Sequence, residues 1–201
     1  FKRTDLHPSK DIFILPETYA PRFSTYCPSF PKIIFNQNGS YSFGTNSSKG
    51  WFKVSRLLHL YSHPEIKRVL TVSEYDSNLL VNGFSIPAER VGLIVNPIGD
   101  MPEILPSRKG KSIVYFTRKN QKDVSIVVEM IKHSGFANDW SFFPISNLPH
   151  SQVLNAFQSS WLYLSFGHPE GFGLPVAEAL ANGCAVVGYT GLGGRELFKL
   201  A

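Results

Sequence analysis

The sequence is poor in anything that would cross-link, anchor or export it. Only two cysteines, Cys27 and Cys184, occur in 201 residues; they lie far apart without metal-ligand spacing. That argues against a disulfide framework and a zinc site and fits a reducing cytoplasm. No apolar run approaches the ~18 residues of a membrane helix. The opening FKRTDLHPSK has neither an apolar core nor a cleavage signature, so no export signal is read there. It also lacks an initiator methionine at Phe1, from which a segment of a longer protein is expected. Charged residues make up only 17%, with a formal net charge of +5. The dense basic clusters are RKGK (Arg108 to Lys111) and TRKNQK (Thr117 to Lys122), too little for a nucleic-acid surface. They suit a phosphate-bearing small molecule or an anionic membrane surface equally well. His7, His59, His63 and His168 show neither metal spacing nor a partnered nucleophile. There is no internal repeat and no low-complexity tract.

What is present is core. The chain is 43% apolar and 13% aromatic, ample for packed domains. From Lys111 onward short β-branched runs alternate with helical spacing. KSIVYFT, WSFFPI, WLYLSF and CAVVGY read as buried strands. DVSIVVEMIKHSG, with Val124, Val127, Val128 and Ile131 at helical intervals and Gly135 as its stop, reads as a helix, as do LPHSQVLNAFQSS and LPVAEALANG. GGRELFKL reads as the start of another. Repeated β-α-β units imply a parallel sheet covered on both faces, a doubly wound Rossmann-like α/β domain. Upstream, DIFILPE, KIIFNQN, RVLTVS and RVGLIVNP repeat the strand pattern, with EYDSNLLVNGFSI as a helix opening and a loop. The Pro- and Gly-rich NPIGDMPEILPSRKG is the linker candidate. The expected domains are therefore 1–98, a partial Rossmann-like domain; 99–110, a linker; and 111–201, a second Rossmann-like domain, with a cleft between the two.

The stretch that carries chemistry is GHPEGFGLPVAEALANGCAVV, Gly167 to Val187. It follows a strand at the carboxyl edge of the expected sheet, where ligands of open α/β folds bind. Gly171 and Gly173 permit close backbone approach, and a helix start with Pro175 in its first turn supplies free N–H groups. Such a turn suits a diphosphate. Glu178, placed in the first helical turn, can accept hydrogen bonds from vicinal hydroxyls such as those of a ribose, and Glu170 can reach another polyol. Taken singly, the same glutamates read as a complement to the helix dipole and a solvated loop residue. Asn36, Gln37 and Asn38 could line the cleft from the other domain; they could equally end a strand.

PEGFGLPVAEALANGCAVVGYTGLGGRE closely resembles the retaining GT-B glycosyltransferases of the "group 1" class, glycosyltransferase family 4. Their signature is a pair of glutamates in an E-x7-E motif, here Glu170 and Glu178. VLTVSEYDSNLL, IPAERVGLIVNPI, IVYFTRKNQKD and FPISNLPHSQVLNAFQSSWLYLS agree in order and spacing. The resemblance covers Leu70 to Glu196 well and Asp11 to Asn38 loosely. It implies a GT-B-type α/β fold, with the N-terminal domain incomplete and the C-terminal domain truncated. Glu178 would then bind the ribose of a nucleotide-sugar, and Glu170 the sugar hydroxyls or the neighbourhood of the reacting carbon. Gly171, Phe172, Gly173 and Leu174 would present backbone amides to sugar and diphosphate, and Gly193 and Gly194, in TGLGGRE, would form a second glycine-rich turn near the donor. Arg118 and Lys122 would neutralise the departing diphosphate; Thr117 stands where the family usually has glycine.

The implied reaction is sugar transfer from a nucleotide-diphosphate sugar to a hydroxyl of a glycan, lipid-linked or other acceptor, with retention. No cofactor or metal is expected, and no Asp-x-Asp motif occurs. The implied location is cytoplasmic, with peripheral association at the inner membrane face left open. Two alternatives stay open as well: a nucleotide- or glycan-binding module without transfer, and a GT-B nucleotide-sugar epimerase. The parts missing relative to the family make catalysis by this segment alone doubtful.

Overall fold

The computed structural model describes residues 6–43, 54–99 and 103–200. The first five residues of FKRTDLHPSK and residues 100–102 of the expected linker lie outside these. The chain divides into two compact units, Phe1–Asn96 and Pro97–Ala201. Of the segment read as a linker, Pro106–Arg108 form a 3-10 turn, and Gly110 is already the first residue of a strand.

In the first unit four parallel strands, β1 (Phe13–Pro16), β2 (Lys32–Asn36), β3 (Ile66–Thr71) and β4 (Val91–Leu93), lie side by side in chain order. Every described crossover therefore steps in the same direction. Ile34, Ile66 and Val69 pack with Leu57, Leu60 and Tyr61 of α1 (Val54–Tyr61), an element the sequence reading did not assign. α2 (Glu74–Asn78) starts on Ser73, whose hydroxyl accepts from Asp76 N–H, and continues into a π-turn over Leu79–Gly83. Lys32 is fully buried: its ammonium donates to the carbonyls of Cys27 and Phe30 and pairs with Glu65 at 2.8 Å.

The second unit is doubly wound. Its strands β5 (Gly110–Phe116), β6 (Ser141–Ile145), β7 (Ser160–Ser165) and β8 (Ala185–Gly188) are parallel, in the order β6-β5-β7-β8. Alternation splits each central strand between two cores. Ile113, Tyr115 and Leu164 face Val124 and Val128 of α3 (Gln121–His133). Val114 and Tyr163 face Val153 and Phe157 of α4 (His150–Ser159) and Val176 of α5 (Leu174–Ala181). Both faces are covered, which is why β5 and β7 read as continuous apolar runs. The residues after β8, expected to open a helix, form a 3-10 segment, Gly193–Lys199. Cys184 is buried, its thiol directed at the carbonyls of Phe157 and Ser160 beside the Lys109 ammonium, whereas Cys27 is half-buried; neither is in a disulfide. Among the described residues no helix is long and apolar enough to cross a membrane.

Candidate functional site

The order β6-β5-β7-β8 fixes where a ligand can enter. From β5 the chain moves outward to β6, then crosses back to β7 on the other side of β5. The loops after β5 and β7 diverge at that reversal and open a crevice at the carboxyl edge. Arg118, Lys119, Tyr163, Gly167, Glu170 and Pro175 line a cavity there of about 250 Å³ including its mouth.

The two loops are tied together. Asn120, in the left-handed region at φ 49°, precedes α3 and sends its amide to the carbonyls of Phe166, at 2.7 Å, and His168, at 3.3 Å. Arg118 places its guanidinium 5.7 Å from the centre of the Phe116 ring. That ring stacks edge-on against the buried Phe157 and Tyr163, so the aromatic core supports the cation from below. Burial, and secondarily the charge of Glu170, push the Tyr163 phenol well above its usual range, keeping it neutral.

Glu170 sits in a slot made by glycines. A Cβ on Gly167 would lie 2.7 Å from its Oε1, and one on Gly191 would lie 2.8 Å from its Cβ. The backbone of Glu170 bridges to the second glycine-rich turn: its N–H donates to Gly191 O at 2.7 Å, and its carbonyl accepts from Gly193 N–H at 3.1 Å. Gly193 passes so close that a Cβ would be 1.8 Å from Gly171 O, and one on Gly194 would be 3.1 Å from Phe172 O. The turn containing Gly193 and Gly194 thus backs the Glu170 loop directly. Gly173, at φ 90°, adopts a conformation that side chains resist, and its carbonyl accepts from the N–H groups of Val176 and Ala177 to start α5. Gly171 and Gly173 are buried while Leu174 is exposed.

Glu178 is the fifth residue of α5, which puts it in the second turn and not the first as the sequence reading placed it. The helix begins at Leu174, as LPVAEALANG reads; Glu178 lies four residues on, which exceeds one 3.6-residue turn. Its Oε1 lies 2.9 Å from Nε2 of His150, the first residue of α4. The structure brings Arg118 and Glu170 together in the cavity, whereas Lys122 is exposed on the first turn of α3 and is not among its lining residues. Lys119, within the TRKNQK cluster, is the second cation there: its Nζ is 2.9 Å from Glu170 Oε1 and donates to Pro169 O at 3.0 Å. The signal for Lys119 was its place beside Arg118 in the first loop of a parallel sheet. His150 was legible only as the first residue of a helix after β6.

At the carboxyl edge of the first sheet Asn36 is fully buried. Its amide donates to Ser42 and Tyr61, and its carbonyl oxygen has no hydrogen-bond partner among the described residues. Asn38 is also buried and caps its own turn through Ser40 N–H; Gln37 is exposed. Asp76, 1% exposed, accepts from Gly39 N–H through Oδ1. Burial pushes its carboxyl up to about 6, and the buried Glu17 is shifted in the same direction, chiefly by desolvation. Among the described residues no group of three His, Cys, Asp or Glu side chains could hold a metal ion.

No family profile matches the chain. It is 26% identical over 196 residues to an alpha-1,6-glucosyltransferase of Actinobacillus pleuropneumoniae serotype 7 (strain AP76), covering 91% of this chain and 54% of that protein. It is 29% identical over 114 residues to a poly(glycerol-phosphate) alpha-glucosyltransferase of Bacillus subtilis (strain 168), covering 52% of this chain and 16% of the relative. The chain therefore spans about half the length of the first of these relatives and much less of the second. Among solved structures, a mutant of S. aureus TarM in complex with fondaparinux, alpha-GlcNAc-glycerol and UDP superposes with a TM-score of 0.63 at 17% identity, over 88% of this chain and 41% of that one. The fold is thus α/β of the GT-B type, with a parallel four-stranded sheet in each unit. The two relatives matched by sequence are glucosyltransferases.

Proposed function

We propose that this chain carries the donor site of a glycosyltransferase, one that moves a sugar from a nucleotide-diphosphate sugar to an acceptor hydroxyl with retention and without a metal. The observation that carries the reading is the cavity at the β5/β7 reversal, where Arg118 and Lys119 converge with Glu170 under a glycine-built loop. The two glucosyltransferase relatives and the UDP named in the TarM complex support it.

In this reading the diphosphate lies against Arg118, Lys119 and the loop Gly171 to Leu174, with Gly193 and Gly194 holding that loop from behind. Glu178 takes the ribose hydroxyls, and Glu170 those of the sugar. The bond from the anomeric carbon to the diphosphate oxygen breaks as a bond to the acceptor oxygen forms on the same face. The acceptor's proton passes to the departing phosphate oxygen. Negative charge grows on the diphosphate as it leaves, and fixed cations at that point lower the barrier more than they tighten the ground state. The net charge of +5 also suits an enzyme working at an anionic membrane face.

Calorimetric titration with UDP-, GDP- and ADP-sugars tests the donor site. One of these binds, and Glu178→Ala weakens it at least about tenfold, the range expected when a charged acceptor of hydroxyls is removed. Binding of none of them overturns the reading. Binding without transfer by the full-length protein would instead favour a nucleotide-binding module.

A further inference from the structure

We propose that Lys119 is a diphosphate cation held in reserve by Glu170, so that arrival of a diphosphate and release of the Glu170 carboxylate are one coupled exchange. The proposal deepens the donor-site reading and rests on it. The Lys119 ammonium lies 2.9 Å from Glu170 Oε1, and the two side chains are 28% and 21% exposed. The pair is therefore partly withdrawn from water and less screened than an ordinary surface ion pair. Both residues line the cavity that Arg118 also enters.

The two partners are not equally mobile. Glu170 is pinned by its backbone bridge to Gly191 and Gly193 and by the slot that Gly167 and Gly191 leave for its side chain. Lys119 holds its charge at the end of a flexible four-carbon stem, anchored besides Glu170 only by the carbonyl of Pro169 among its described contacts. In any rearrangement the lysine is the member that moves. A diphosphate offers several anionic oxygens where Glu170 offers one carboxylate, and it is attracted by Arg118 as well. It therefore competes for the ammonium.

Once Lys119 turns to the diphosphate, Glu170 is left with both oxygens free in a cavity it cannot leave. The hydroxyls of a sugar attached to the diphosphate can satisfy them; a bare nucleoside diphosphate cannot. The exchange thus favours the intact donor over the spent nucleotide, and departure of the product restores the ion pair. This separates the roles of the two cations: Arg118 attracts any diphosphate, whereas Lys119 makes that attraction depend on what the diphosphate carries.

The test is a double-mutant cycle read by calorimetry on the chain, with inorganic pyrophosphate and with UDP, GDP and ADP as probes. Lys119→Gln is expected to weaken pyrophosphate binding by at least about tenfold, and Lys119→Arg to retain it within a few-fold. Glu170→Gln is expected to tighten pyrophosphate several-fold, because the lysine no longer has a competing partner. That tightening should vanish when Lys119 is already Gln, leaving the double variant within about twofold of Lys119→Gln. Melting curves of all five variants, Lys122→Gln included, establish that they are folded. Tightening by Glu170→Gln that persists without Lys119 would mean simple repulsion between carboxylate and anion and would overturn the exchange. A Lys119→Gln chain that binds like the wild type, or a loss seen with Lys122→Gln instead, overturns it equally. If a nucleoside diphosphate binds but the cycle is additive, the exchange fails and the donor site stands; if neither pyrophosphate nor any of the three nucleotides binds, both fail.

Discussion

Replacing Gly193 by alanine should damage both stability and ligand binding through a single backbone contact. No left-handed φ is required at Gly193, so alanine meets no conformational penalty there, and the contact alone decides the outcome. The added Cβ would lie 1.8 Å from Gly171 O, 2.3 Å from its carbonyl carbon and 2.8 Å from Glu170 O. Side-chain Cβ atoms do not approach closer than 3.0 Å, so the two turns must part by at least about 1.2 Å. That movement breaks or stretches the paired bonds between Glu170 and the turn at Gly191 and Gly193. Each is worth about 1 kcal/mol net, and more where a buried group is left unpaired, giving a loss of about 2–4 kcal/mol. For a chain of this size that lowers the melting temperature by about 10 °C. A shift of about 1 Å in the Glu170 loop should also weaken the preferred nucleoside diphosphate at least tenfold. Gly135→Ala is the control: φ is +79° with no atom near the added Cβ, so it costs about 1 kcal/mol from backbone strain alone and leaves binding unchanged. Differential scanning calorimetry and nucleotide titration read both effects. A Gly193→Ala chain melting within 2 °C or so of the wild type, with undiminished affinity, would refute the close packing of the two turns.

Three further perturbations probe the cores and buried charges. Asp76 has a folded-state carboxyl raised from 3.8 to about 6, so as pH rises the unfolded chain loses this proton first. The group therefore lowers stability progressively between about pH 4 and 6, by about 3 kcal/mol in all; Asp76→Asn should gain on the wild type over that window in urea unfolding, and a pH-independent difference would contradict the assignment. Lys32→Met removes the buried ammonium and with it one partner each of Glu65 and the carbonyls of Cys27 and Phe30, leaving Glu65 only the Ser29 N–H, for a loss of about 3 kcal/mol in denaturant midpoint analysis; a neutral substitution would mean the pair is not formed. Phe157→Ala empties a fully buried site stacked on Tyr163 and Phe116 and should cost about 3–5 kcal/mol. Because Phe116 supports Arg118, pyrophosphate affinity should fall with it, and an unchanged affinity would uncouple that ring from the site.

Much of the second unit is legible from the chain because its strands are buried on both faces and its helices repeat at 3.6-residue spacing. Ile113 to Tyr115 and Leu162 to Leu164 can only be core. The first unit reads less clearly. Leu57, Leu60 and Tyr61 carry the spacing of α1, an element of only eight residues whose short periodic run is not assigned from the sequence. Lys32, Glu17 and Asp76 look like surface residues in a string of letters; their burial follows from partners up to 37 positions away, as between Asp76 and Gly39. The glutamates of GHPEGFGLPVAE were visible, but not what they touch. The pairing of Glu170 with Lys119 and of Glu178 with His150 arises only when the loops after β5, β6 and β7 reach the same edge of the sheet, a property of strand order that no local pattern encodes.

The unequal surroundings of the two thiols open a route to watching the molecule move. Cys184 is sealed among carbonyls, and burial pushes its thiol up, away from the reactive thiolate. Cys27 is partly open to solvent, so a maleimide dye should attach there alone and tag the first unit without mutagenesis. A cysteine introduced at the exposed Ile126 on α3 would add a second attachment point in the other unit. Energy transfer between the two dyes would then report in real time whether a nucleotide draws the units together.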